Sequence, residues 1–358
     1  MMLEGKTFKD SEFGNNGYDF LRYLWASFTI LAHFSWKFGE YPIAAAPLLN
    51  KITAATLYFN PLIALLSISG FLIAASLEKS KSLKDFFTKR ILRLYPEFWM
   101  SAIVTLVSLL IVVPYLLDKS ILFWLGTQIF AIANTPSCLR TFGTGVVNGP
   151  LYSILIQVQL YIVLGLFYKQ LKKLNTWQWL VLLALLLGAN IGCGFLIGHV
   201  DDFVGNLIGK VFVPFAIWFF TGAFVYYKRD RMIPFLKKAL FPLLAIYVLA
   251  KVIGIRTPGY FDDSLFGVLL SLIIIGCGYL LPKMHFRVDL TYGMYLYHWP
   301  VLNILIHYDL MNKLHWGWSL LILVVATLAL AFLSWMFVRQ PSKKIIDNLM
   351  MKMEKQAT

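Results

Sequence analysis

Residues 18–36 read YDFLRYLWASFTILAHFSW, and the fold turns on what this stretch is. It is apolar enough to cross a membrane, yet it carries Asp19, Arg22 and His33. Ionisable groups inside a span are costly and mark a functional or packed interior. The spacing sharpens this. Arg22 and His33 are eleven positions apart; at about 100° per residue they share a helix face, roughly 16 Å apart along the axis. Asp19, Ala26 and Thr29 fall on the same stripe. A face of carboxylate, guanidinium, small residue, hydroxyl and imidazole is predicted to line a cavity or pack against helices rather than meet lipid. The competing reading has Arg22 snorkelling to headgroups and His33 serving as a packed bundle histidine.

Composition points the same way. Of 358 residues, 59% are hydrophobic and 14% charged, against about 25% charged in soluble domains. The 18 Tyr and 11 Trp suit interfacial aromatic belts. The first fourteen residues are polar and lack an apolar leader core, so the first span is expected to be a retained anchor. Cys138, Cys193 and Cys277 are far apart and lack ligand spacing, so neither a metal site nor a disulfide framework is expected. The net charge of +14 could attract nucleic acid, but its distribution along the chain fits membrane topology instead.

Ten spans are predicted, near 18–37, 57–77, 95–117, 150–168, 176–197, 208–226, 236–255, 264–281, 290–309 and 317–338. Each approaches the ~20 residues of a transmembrane helix. With the N-terminus inside, 23 of the 32 Lys and Arg fall on inner segments, from Lys6 and Lys9 through Arg90 and Arg93 to Lys352 and Lys355. The positive-inside rule then predicts an all-α, polytopic membrane helical bundle of ten transmembrane helices, both termini cytoplasmic. It reads as one membrane domain over 1–358.

The long outer connection, 118–149, holds an apolar piece, 121–133, too short to cross and so interfacial or re-entrant. Residues 135–150 read as loop. The acidic pairs Asp201/Asp202 and Asp262/Asp263 are expected at solvated loop tips. The end after Pro341 reads as a basic amphipathic segment suited to anionic lipid.

Three further constellations carry polar chemistry. In 86–96, FFTKRILRLYP, Arg90 and Arg93 sit side by side if helical, as two guanidinium forks for phosphate or as a headgroup-binding flank. In 148–161, Ser153, Gln157 and Tyr161 form a polar stripe, or interhelical packing glue. In 291–300, TYGMYLYHWP, Tyr292, Tyr295 and His298 face together, as an interfacial cluster or a functional one.

In order, these stretches resemble the acyltransferase type 3 family of integral membrane proteins, over about residues 18–341. The carriers are Arg22, ten residues, then His33; Ser69–Gly70–Phe71–Leu72; Arg90-x-x-Arg93 before Tyr95–Pro96; Gly149–Pro150–Leu151–Tyr152–Ser153; and Tyr292–Gly293-x-Tyr295–Leu296-x-His298-x-Pro300. The resemblance implies transfer of an acyl group, most often acetyl, from cytosolic acyl-coenzyme A (acyl-CoA; acetyl-CoA foremost) to a hydroxyl of a surface polysaccharide or lipid-linked sugar. It implies a bacterial cytoplasmic (inner) membrane, no metal, and the lipid bilayer as surroundings; the oligomeric state is left open. His33 would be catalytic, and Arg22, Arg90 and Arg93 would serve the acyl-CoA. A neutral imidazole near the acceptor hydroxyl suits general-base work, and a covalent acyl-enzyme stays open. Asp19, Ser153, Tyr161, Tyr295 and His298 are further site candidates.

The chain departs from the family pattern at Tyr152 and Gln157, where tryptophan and glutamate are usual, and at Arg339, where glutamate is usual. Gln157 is counted with His33 as catalytic by position; as an amide it can accept a hydrogen bond but cannot stabilise an imidazolium. Two alternatives remain: a transporter or flippase of lipid-linked saccharide, and a catalytically weakened family member.

Overall fold

The computed structural model describes residue 14 and residues 16–357 except 262 and 285, with side chains left out at 347 and 350–357. Lys6, Lys9, nearly all of the polar first fourteen residues, Asp262, and the side chains of Lys352 and Lys355 lie outside the described residues.

The protein is all-helical; no strand occurs among the described residues. Each of the ten apolar stretches holds a helix. In chain order the helices are α1 (Tyr18–Gly39), α2 (Ala46–Tyr58), α3 (Pro61–Lys79), α4 (Leu83–Val112), α5 (Ser120–Gln128), α6 (Tyr152–Leu166), α7 (Tyr168–Lys173), α8 (Thr176–Ile197), α9 (Asp202–Ile208), α10 (Ala216–Tyr227), α11 (Arg229–Ile253), α12 (Ser264–Leu280), α13 (Thr291–His307), α14 (Leu310–Lys313), α15 (Trp316–Ser334) and α16 (Gln340–Ala357). Among the described residues six helical stretches are long and apolar enough to cross a membrane, or seven if α9 and the segment Val213–Tyr227, bent by 51°, count as one. α1 is not among the six: its charged and polar face lowers its hydropathy.

Local chemistry sets the helix ends that matter for the site. α4 begins twelve residues before the apolar stretch because Ser82 caps it, its side chain accepting from Asp85 N at 3.1 Å. Asp85 in turn accepts from Lys81 N and pairs with Lys89 at 2.9 Å, so the basic segment 86–96 is helical and continuous with the span. Pro96 is carried inside the helix.

The chain divides into two compact units. The first comprises 1–25, 58–79 and 156–286. At its centre α3 and α10 cross closely: a Cβ on Gly70 would meet the backbone of Phe219, and one on Gly222 the backbone of Ser67. Small residues permit such contact, which supplies dispersion in place of a hydrophobic drive between helices in lipid. Tyr18 lies against Gly278 and donates to Ile275 O at 3.0 Å. Asn190 of α8, fully buried, donates to Pro214 O and accepts from Tyr260 N. Glu78 gathers the Tyr226 hydroxyl, Arg229 and Lys172; its hydrogen bond raises the pKa of the Lys172 ammonium.

One expectation is corrected here. Asp263 is not at a solvated tip: it is 6% exposed, pairs with Lys251 at 2.6 Å and accepts from Thr257 N. A carboxylate facing an ammonium can be buried because each removes the other's desolvation cost. Asp201 does cap an exposed helix start, accepting from Phe203 N and Val204 N.

The second unit comprises 26–57, 80–155 and 287–358. α13 packs along α15, with Gly293 against Ala331, and also meets α4. α16 packs on α4. The connection 118–149 folds over an apolar cluster of Val113, Trp124, Leu139, Phe142 and Val147. Its short apolar piece becomes α5, and residues 135–150 form a loop with short turns, as expected.

Candidate active site

The second unit brings His33 and His298 together. His33 Nδ1 and His298 Nε2 are 2.9 Å apart, with the ring planes within 8° of each other and 5.2 Å between centroids. His298 Nδ1 lies 2.9 Å from Met294 O, one turn back on α13. The two imidazoles differ in access: His298 is 0% exposed, whereas His33 is half-buried. Trp299 sets its ring edge-on to His33 at 5.0 Å. His33 Nε2 has no hydrogen-bond partner among the described residues.

Trp299 is itself held by the loop 135–150. Its Nε1 donates to Thr144 Oγ1 at 3.1 Å and Val146 O at 3.0 Å. Asn303, one turn further along α13, accepts from Thr144 N and Oγ1 and donates to Val146 O and Val147 O. Gly143, at φ +56°, lies so close to Asn303 that a side chain would collide with it. Asn148 donates to Leu296 O at 2.9 Å. The loop is thus tied to α13 by side-chain amides that satisfy its backbone, as buried irregular chain requires.

Tyr295, on the same helix, meets Ser153 at 2.6 Å and donates to Pro150 O at 3.1 Å. Ser153 is 1% exposed, and this contact engages its hydroxyl. Tyr292 donates to Leu94 O. Of the predicted aromatic cluster, Tyr295 and His298 keep their rings in contact, 5.9 Å between centroids, Tyr292 turns to Leu94 O, and only His298 reaches His33.

The arginines are placed as follows. Arg22 lies in α1, 4.0 Å from Asp19, its side chain 21% exposed. Arg90 is half-buried over the ring of Phe86. Arg93 is exposed and lies 3.8 Å from Asp289. Asp289 also pairs with Arg339 at 2.7 Å, and Arg339 reaches Glu97 at 3.3 Å, a carboxylate only 2% exposed. Arg339 thus has a local reason: an arginine here pairs with Glu97, where a glutamate would repel it. Gln157 and Tyr161 belong to the first unit; Tyr161 lies 3.4 Å from Gln157 Oε1 and 3.0 Å from Ser69 Oγ.

Sequence reasoning did not single out Glu97, Asp289, Thr144, Trp299 or Asn303. Glu97 carried a readable signal, a carboxylate within an apolar segment. The other four carried none. Among the described residues no group of three or more His, Cys, Asp or Glu could hold a metal ion.

The family model described as "Acyltransferase domain", that of the type 3 acyltransferases, matches residues 15–336. The chain belongs to this family and is an acyltransferase. It is similar to "Nodulation protein 10" of Rhizobium leguminosarum bv. viciae, at 26% identity over 358 residues, covering 93% of this chain and 95% of the relative. It is also similar to an "O-acetyl transferase" of Shigella phage Sf6, at 27% identity over 298 residues, covering 76% and 81%. No solved structure matches it.

Proposed function

We propose that this protein moves an acetyl group from cytosolic acetyl-CoA to a hydroxyl of a cell-surface polysaccharide or lipid-linked sugar, with His33 as general base. It would do so as a ten-span protein of a bacterial inner membrane, both termini cytoplasmic. The acyl class rests on the family, and the acetyl group on the relative named as an O-acetyl transferase. The observation that carries the residue assignment is the state of His33: half-buried, with Nδ1 engaged and Nε2 left without a described partner.

In this reading the acceptor O–H gives its proton to His33 Nε2 as its oxygen attacks the thioester carbonyl. The C–S bond then breaks, and the leaving thiolate of coenzyme A takes the proton from the imidazolium. No step requires a charge to leave the site, which suits low-dielectric surroundings. Arg90 and Arg93 present guanidinium groups on one face of α4 for the anionic coenzyme A, and Arg22 keeps the same role by position. Gln157 stands where the family has glutamate, so the positive charge formed on His33 must be tolerated without that carboxylate.

The test uses the purified full-length protein in lipid nanodiscs with acetyl-labelled acetyl-CoA and an extracted envelope glycan fraction. Release of coenzyme A and label transfer are expected in wild type, and a loss of about 10³-fold in His33→Ala, within the range for removing a general base. Undiminished turnover in His33→Ala would overturn the base assignment. Absence of both acetyl-CoA binding and turnover would overturn acyl transfer from this donor and favour saccharide transport.

A further inference from the structure

We infer that His298 is a positioning residue that fixes the proton of His33 on Nδ1 and so keeps Nε2 as the basic nitrogen; this rests on His33 being the base. A backbone carbonyl can only accept, so the 2.9 Å contact with Met294 O requires that His298 Nδ1 carry hydrogen. A neutral His298 then has its lone pair on Nε2. That lone pair faces His33 Nδ1 at 2.9 Å, so His33 Nδ1 must be the donor. Neutral His33 holds one ring proton, now on Nδ1, and Nε2 is left able to accept one.

The chain of contacts is polarised in one direction, from the α13 backbone to the reactive nitrogen. The nearly shared plane of the two imidazoles, 8° apart, and the perpendicular ring of Trp299 hold the ring plane in which that lone pair lies. His298 cannot itself meet the acceptor, being 0% exposed. It therefore acts through His33, as an orienting carboxylate does in other base-assisted acyl transfers, where a wrong tautomer leaves the geometry intact but the base useless. Here the orienting group is a neutral imidazole. It accepts the Nδ1 proton in the resting state and still accepts it after Nε2 is protonated, so one arrangement serves both halves of the reaction.

The experiment compares His298→Leu and His298→Gln with His33→Ala in the full-length protein in nanodiscs, measuring kcat and KM for acetyl-CoA with the glycan acceptor, and separately acetyl transfer to hydroxylamine. Hydroxylamine attacks thioesters without needing its proton removed first. His298→Leu should lower kcat with glycan about 10²-fold, leave KM for acetyl-CoA unchanged, and lower hydroxylamine transfer less than about fivefold. His298→Gln, whose amide oxygen can replace Nε2 as acceptor, should restore kcat to within about tenfold of wild type. Equal loss toward both acceptors, or equal kcat for the Leu and Gln variants, overturns the positioning role. Should His298→Leu not fold, Asn against Gln at 298 carries the same test, since only the longer amide reaches the Nε2 position. Activity of His33→Ala at the wild-type level sinks the base assignment itself; an inactive His33→Ala beside a fully active His298→Leu sinks only the role of His298.

Discussion

Two of the polar clusters in the second unit are built on opposite plans. Glu97, Asp289 and Arg339 form a closed cluster: each carboxylate has a guanidinium within 3.3 Å, and Ser334 lies 3.4 Å from Glu97. His33 and His298 form an open chain, in which contacts run from Met294 O to His33 Nδ1 and stop at Nε2. A closed cluster holds elements together, here α4, the chain before α13 and the segment leading into α16. An open one ends in a group with unused capacity on a half-buried ring. On the proposed function, this contrast would separate structure from chemistry better than burial does, since Glu97 and His298 are both almost fully buried.

The largest expected effect would break the closed cluster. Arg339→Ala leaves Glu97 buried without its cation, which should cost about 3–5 kcal/mol. Thermal unfolding in detergent should show a large fall in midpoint, and Glu97→Gln added to Arg339→Gln should recover most of it. Arg339→Glu, which would set a third carboxylate beside Glu97 and Asp289, should be at least as damaging as Arg339→Ala. If Arg339→Ala instead kept its unfolding midpoint and lost turnover, the cluster would belong with the chemistry and the contrast would fail.

A smaller effect is expected where the closed cluster meets solvent. Arg93 is 42% exposed and only 3.8 Å from Asp289, so that pair is worth about 1 kcal/mol or less. If Arg93 serves coenzyme A, Arg93→Gln should raise KM for acetyl-CoA about tenfold, roughly 1.4 kcal/mol, with kcat and unfolding midpoint nearly unchanged. The KM difference should shrink as salt is raised. A changed midpoint with unchanged KM would assign Arg93 to the closed cluster alone.

How much of this was legible in the sequence depends on distance along the chain. The helices were legible, because apolar runs are a local signal, and every predicted span holds one. Their ends were less so: α4 starts at Leu83 because of the Ser82 cap, and the second apolar run starts a new helix at Pro61 after a break. Arg22 and His33 could be placed on one helix because eleven residues of regular backbone relate them. The pairing of His33 with His298 spans 265 residues, and that of Glu97 with Arg339 spans 242. No periodicity encodes such pairs; each member shows only as a costly group in an apolar run. Asp263 shows the converse, since its loop context hid the partner that buries it, Lys251.

The smallest expected effect concerns Gln157, one of the positions where the sequence resemblance expects a different residue. Its described contact is a long one, with the Tyr161 hydroxyl at 3.4 Å, in a row that continues to Ser69. This row is neutral, so breaking it leaves no buried charge. Gln157→Ala should therefore cost about 1 kcal/mol of stability. If Gln157 only packs, kcat should stay within about threefold of wild type, and His298 alone would orient the base. A fall in kcat of about 10²-fold with an unchanged unfolding midpoint would instead place Gln157 with His33 in the reaction, and would mean that a neutral amide does part of the work done elsewhere by a carboxylate. The two outcomes are far enough apart that a coarse measurement of acetyl transfer distinguishes them.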